Sequence, residues 1–119
     1  VITFAELTQA LDATGIPFKP YEWEGGSPAT TAWGTVLIGS STPMYGDNEV
    51  AEEYLAGTIT LRTRVLDATA FNAVTAVLKR LMQNDAVFCY RMTGVRLDSD
   101  KQVLYYSWRW SGTGLDRFE

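Results

Sequence analysis

Thr58-Ile59-Thr60-Leu61-Arg62-Thr63-Arg64-Val65-Leu66-Asp67-Ala68-Thr69-Ala70-Phe71-Asn72-Ala73-Val74 changes its hydrophobic period at Asp67. Before Asp67, Ile59, Leu61, Thr63 and Val65 alternate with Thr58, Thr60, Arg62 and Arg64, the pattern of a strand with one buried and one wet face. After it, Phe71, Val74, Leu78 and Leu81 recur at helical spacing, widened by Val77 and Met82, with Thr75, Lys79 and Gln83 opposite. Asp67 stands where an N-cap belongs, Lys79 and Arg80 suit the dipole at the far end, and Asn84-Asp85 stops the helix. A half-buried strand feeding an amphipathic helix makes the fold α+β.

Downstream, Ala86 to Leu97 alternates as a strand, with Gly94 marking a bulge. Asp98-Ser99-Asp100-Lys101 is good turn chemistry, and Gln102 to Trp110 returns as the second strand of a hairpin. Leu104, Tyr106, Trp108 and Trp110 share one face of that strand; Val103, Tyr105, Ser107 and Arg109 share the other. Residues 111 to 119 read as a fraying tail. Upstream, the 17–31 stretch is turn-rich, and Trp33-Gly34-Thr35-Val36-Leu37-Ile38 reads as a strand from Ala32 to Gly39. Pro43, Gly46, Asp47 and Asn48 make Ser40–Asn48 a loop, and the next strand starts near Val50, although Glu49–Tyr54 also reads as a helical turn. The chain opens with a helix: Thr3 and Glu6 in capping-box spacing, Ile2 and Leu7 as a staple, and Phe4, Leu7 and Leu11 as its apolar stripe. Gly15 and Ile16-Pro17 end it.

The order helix, strand, strand, helix, strand, strand packs most economically as one domain over residues 1–119. The expected form is a two-layer sandwich, a four-stranded mainly antiparallel sheet with both helices on one face. The face away from the helices then leaves aromatic area uncovered, unless the 17–31 stretch covers it, and this hints at a partner subunit.

Composition removes much chemistry. The 119 residues include no histidine, which excludes Ser-His-Asp and Cys-His nucleophilic systems, imidazole base catalysis and any zinc site needing a His ligand. The single Cys89 cannot form an internal disulfide, and the run Val87-Phe88-Cys89-Tyr90 reads as a buried, inert thiol. No run reaches the ~18 apolar residues of a membrane helix, and no signal peptide opens the chain, which starts at Val1 as a trimmed N-terminus would. Fourteen acids against ten bases oppose a role in gripping a phosphate backbone.

Each candidate motif has a plainer reading. Trp23-Glu24-Gly25-Gly26-Ser27 lacks the P-loop lysine and the dinucleotide-binding spacing. Asp47, Glu49, Glu52 and Glu53 do not follow a calcium-loop ladder and read as a solvated acidic patch. Asp98 and Asp100 read as turn formers. Arg91, Arg96 and Arg109 beside Trp108 and Trp110 would make a basic-aromatic surface for nucleic acid, against which the net charge stands. Arg62 and Arg64 share a face and read as solvated or paired with interface acids. We therefore expect no enzyme activity, catalytic residue, metal or cofactor, no specific nucleic-acid binding and no membrane association.

Tyr45-Gly46-Asp47-Asn48-Glu49-Val50, followed by the strand Thr58–Thr63 and the helix after Asp67, resembles small tail proteins of long-tailed bacteriophages. In that group a tyrosine, an acid-asparagine pair and a valine precede such a strand, and an aromatic C-terminal hairpin follows the helix. The likeness spans residues 3 to 110 in element order, with its specific signature in 45 to 66. It departs from the group in its Gly/Pro-rich 17–31 stretch and in the sparse charge on its helix surface. The resemblance implies a fold like that of the tail terminator (tail completion) proteins, which form a ring, expected to be hexameric, at the head-tail junction. It further implies a virion protein folded in the host bacterial cytoplasm, with the tail tube and head-tail connector as partners. A net acidic subunit suits a channel through which DNA slides, if the acids face its lumen. Contacts are expected at Tyr45, Asp47, Asn48, Glu49 and Glu52, and at Arg62, Arg64 and Arg109. The alternatives are another connector or minor tail component, or a small α+β ligand-binding module using the sheet face.

Overall fold

The computed structural model describes residues 4–20, 31–46, 49–64, 68–84 and 88–113, of which 41–46, 49–54 and 113 are described by their backbone. The elements are α1 (Phe4–Asp12), β1 (Phe18–Pro20), β2 (Ala32–Gly46), β3 (Glu49–Thr63), α2 (Ala68–Asn84), β4 (Cys89–Asp98) and β5 (Val103–Thr113). The fold is α+β, with a mixed, mostly antiparallel sheet in the order β1-β2-β3-β5-β4.

The sheet has five strands, not four. The addition is β1, which runs parallel to β2 with Phe18 opposite Gly34. The turn after α1 sets it up. Gly15 takes a left-handed φ of 90°, which glycine adopts without steric cost. The carboxylate of Asp12 then accepts the Phe18 N–H at 3.1 Å, and the Gly34 N–H bonds the Pro17 carbonyl at 2.9 Å. A second correction concerns Ser40–Asn48. Residues 40–46 continue β2 and pair with Glu49–Ala56, so this stretch is a strand of a long hairpin and not a loop. The helical-turn reading of Glu49–Tyr54 falls with it. Pro43 is tolerated because β2 has a single strand neighbour there among the described residues. Ser111–Thr113, read as tail, belong to β5 and pair with Tyr54–Ala56.

Cross-strand register sorts the side chains. Ile59 faces Val36 and Trp108, and Leu61 faces Gly34 and Tyr106. All of these lie on the helix side, where Val36, Ile59, Leu61 and Trp108 are at most 1% exposed. Helix α1 brings Phe4, Leu7 and Leu11 to that layer, with the Phe4 ring stacked 6.3 Å from Trp110. Helix α2 brings Val74, Val77 and Leu78, and its Phe71 packs 5.2 Å from Tyr106 and 5.8 Å from Trp108. Both helices therefore cover one face, and the Leu104-Tyr106-Trp108-Trp110 set is the covered one. The caps expected from Ile2, Thr3 and Asp67 fall outside the described residues.

Trp110 shows why two glycines and a bulge coincide. Gly39 is an extra residue in β2, where the register slips between Ile38 and Ser40. Just before the slip, the Leu37 carbonyl accepts the Trp110 indole N–H at 3.2 Å. The indole reaches it across Gly57, its register partner in β3, whose missing Cβ leaves the path open.

Candidate functional site

The predicted contact residues separate into two places. Tyr45, Glu49 and Glu52 lie on the distal part of the β2–β3 hairpin, where Tyr45 pairs with Val50, Gly46 with Glu49, and Met44 with Glu52. Asp47 and Asn48 fall outside the described residues. Among the described residues, β5 reaches as far as Tyr54 and β1 as far as Val36. Residues 40–46 and 49–53 therefore form a two-stranded ribbon paired only with itself among the described residues. Seven residues of ribbon span roughly 24 Å at strand rise. The radius of gyration, 15.0 Å, exceeds the roughly 13.5 Å of a compact domain this size. Residues 40–56 carry four acids and no base, and the rest of the chain balances at ten acids to ten bases. The whole net charge of −4 thus belongs to this segment.

The second place is the sheet face turned away from the helices. Arg62 stands opposite Trp33 and Tyr105, about ten residues or 34 Å along β3 from Glu52. Its guanidinium donates to Thr35 Oγ1 at 3.1 Å and lies 5.6 Å from the Tyr105 ring centroid. Burial lowers the Arg62 pKa, and the nearby Tyr105 opposes that shift. Arg64, just past β3, covers the Trp33 ring at 4.5 Å. Arg109 stands between Thr58 of β3 and Arg91 of β4.

Sequence alternation misses part of this face. Arg91 and Arg96 are five residues apart and would point to opposite sides of a regular strand. The register slips between Met92 and Gly94, so Thr93 is an extra residue and the phase changes. Arg96 is thereby carried to the outer face, 4.5 Å over Tyr105. Arg62, Arg64, Arg91, Arg96 and Arg109 share this face. The acid beside them in β4, Asp98, is engaged by the hairpin turn, accepting the Lys101 N–H. Arg91 lies directly across from Arg109, a like-charge pairing that costs stability in isolation.

The same phase change turns Val95 and Leu97 to the helix side of β4, beyond the reach of α2, where they are 54% and 59% exposed. Strand β4 is the open edge of the sheet among the described residues. Cys89 corrects the sequence reading: it is exposed, because Phe88 and Tyr90 turn inward on either side and Cys89 faces outward opposite Ser111. Trp108 and Trp110 also correct one, since both are buried beneath the helices and lie on the wrong side for stacking beside the arginines.

Two clefts flank Arg109. One of about 360 Å³ is lined by Cys89, Tyr90, Arg91, Trp110 and Ser111 with Arg109. The other, about 380 Å³, is lined by Ser40, Thr58, Thr93 and Arg109 among others. A third, about 460 Å³, lies where Thr14–Pro17 meet the starts of β2 and α2, lined by threonines and small apolar residues. Among the described residues no three His, Cys, Asp or Glu side chains cluster as metal ligands, and no helix is long and apolar enough to cross a membrane. No known family model and no curated protein sequence matches this chain.

Proposed function

We propose that this chain is a structural subunit that works by fitting against copies of itself, as in the ring-forming tail terminators of long-tailed phages that its 45–66 segment resembles. The observation that carries this reading is a pair of incomplete surfaces on one small domain. Among the described residues an acidic ribbon pairs only with itself, and an open edge strand displays arginines on one side and Val95 and Leu97 on the other. An isolated domain normally blunts such an edge or covers it. A neighbouring copy completes it, and a repeated heterologous contact closes into a ring when its rotation permits. On this reading the partners are further copies, the tail tube and the head-tail connector, and the place of action is the virion tail. A related connector or minor tail component fits the same surfaces.

The test is size-exclusion chromatography with light scattering at rising concentration, with negative-stain microscopy of the largest species. Rings, six-fold by the resemblance, are the expected result. A strict monomer at every concentration, with or without a cross-linker, overturns the proposal.

One observation favours a second reading. The paired Arg91 and Arg109, with hydroxyl-lined clefts on either side, would suit an anionic ligand. On that reading the face is a small-molecule or nucleic-acid site, and binding would survive in the monomer.

A further inference from the structure

We infer that the acidic ribbon of one copy docks on the β4 edge and outer-face arginines of the next, an inference that rests on the self-assembly reading above. Charge identifies the occupant. Glu49, Glu52 and Glu53 lie on the β3 strand of a ribbon that carries no base, and Arg91, Arg96 and Arg109 lie on or beside β4. Within one copy the backbone holds the two sets apart, since Glu53 stands opposite Pro43 whereas Arg109 stands opposite Thr58, five residues further along β3. They meet only between copies. The apolar residues match as well: the ribbon adds Met44, Val50 and Tyr54 to its acids, and the edge adds Val95 and Leu97 to its arginines.

The backbone fits this arrangement. Strand β4 has a full row of N–H and C=O groups without a strand partner on its open side among the described residues, the condition that favours addition of another strand. In the ribbon, Pro43 removes one N–H from β2, whereas Glu49–Glu53 of β3 contains no proline. The β3 side is therefore the better pairing surface. The contact joins different patches on the two copies, so each copy offers a ribbon to one neighbour and an edge to the other. An incoming carboxylate between Arg91 and Arg109 would turn a repulsive pair into a bridged one. The aromatic rings on this face are already covered, Tyr105 by Arg62 and Arg96 and Trp33 by Arg64. That leaves a surface suited to carboxylates and poorly suited to stacked bases.

Charge reversal tests the inference on the full chain. Three variants are compared with the wild type by light scattering: R91E/R109E, E49K/E52K/E53K, and the five-fold combination of both. Each partial set should weaken self-association by about tenfold to a hundredfold. The combined variant, and an equimolar mixture of the two partial variants, should recover it. Raising salt from about 50 to 500 mM should weaken the wild-type assembly. Circular dichroism and thermal melting of each variant separate misfolding from lost contact. A wild-type oligomer unchanged by R91E/R109E overturns this interface and leaves self-assembly standing. A wild type that never associates overturns both. If a short DNA duplex binds the wild type, is lost with R91E/R109E, and the oligomer persists, the face belongs to nucleic acid and the inference fails.

Discussion

Gly57→Ala tests the packing that holds the sheet together beneath the helices. A Cβ at residue 57 would overlap the Leu37 carbonyl oxygen and stand 3.0 Å from Trp110 Nε1. Because the obstacle is backbone, no rotamer change relieves it. Strand β2 must shift, at an overpacking cost of about 1–3 kcal/mol. The shift also breaks the indole bond to Leu37, leaving a donor on a side chain only 4% exposed without its acceptor. That adds about 1–3 kcal/mol. Together they reach roughly 2–6 kcal/mol, a large part of the ~5–15 kcal/mol by which a domain is stable. At about 2.1 cal/mol/K per residue, 119 residues give an unfolding entropy near 250 cal/mol/K, so the melting temperature should fall by about 8 °C or more. Urea unfolding followed by tryptophan fluorescence gives the free energy. Gly39→Ala is the control: its nearest atoms are 3.7 and 3.9 Å away, and its cost should stay within about 1 kcal/mol. Trp110→Phe keeps most of the packing but removes the donor. The double variant with Gly57→Ala should cost less than the two singles added, because both break one bond. A Gly57→Ala protein melting within about 4 °C of wild type would refute this account of the glycine.

Four other outcomes follow from individual residues and from composition. Thr63 is fully buried and its hydroxyl has no partner among the described residues, so Thr63→Val should raise stability by about 1 kcal/mol in urea unfolding; a loss would mean the hydroxyl is satisfied. Arg62→Lys should cost about 1 kcal/mol, because lysine lacks the planar fork that reaches Thr35 while lying over Tyr105. Desolvation lowers the Arg62 pKa, so its buried charge is a cost below that pKa, relieved only as pH rises through it. With no histidine in the chain, denaturant midpoints should therefore be flat between about pH 6 and 8. Cys89 is exposed, so the native protein should react fully with a thiol reagent such as Ellman's without denaturant; a thiol released only by unfolding would restore the buried reading.

Some of this molecule was legible in the residues. The switch of period at Asp67 gave both β3 and α2, and the inward set Ile59, Leu61 and Thr63 is buried as alternation requires. The stripe Phe4, Leu7 and Leu11 lies wholly in the core. Gly94 marked the bulge in β4, and Asp98 proved to be the turn former its neighbours suggested, through its bond to Lys101. Arg62 and Arg64, read as sharing a face, do share the outer one, beside Trp33. Other features were hidden because their cause lies far along the chain. Phe18–Pro20 is three residues among prolines, with no period to detect, and becomes a strand only because β2 offers a parallel edge. Ser40–Gly46 has loop composition and becomes strand because Glu49–Ala56 folds back on it.

Sequence alone determined which residues alternate, where the helices run, that histidine chemistry is absent, and that the acids gather in one segment, since these depend on neighbours within a few bonds or on counting. Tertiary structure decided which face the helices cover, that Arg96 joins Arg91 and Arg109, and that Glu49, Glu52 and Glu53 stand away from all three. Those outcomes turn on strand register and on one inserted residue, Thr93. A shift of one position sends every later side chain of a strand to the opposite face, and local composition carries no record of the partner strand that fixes it.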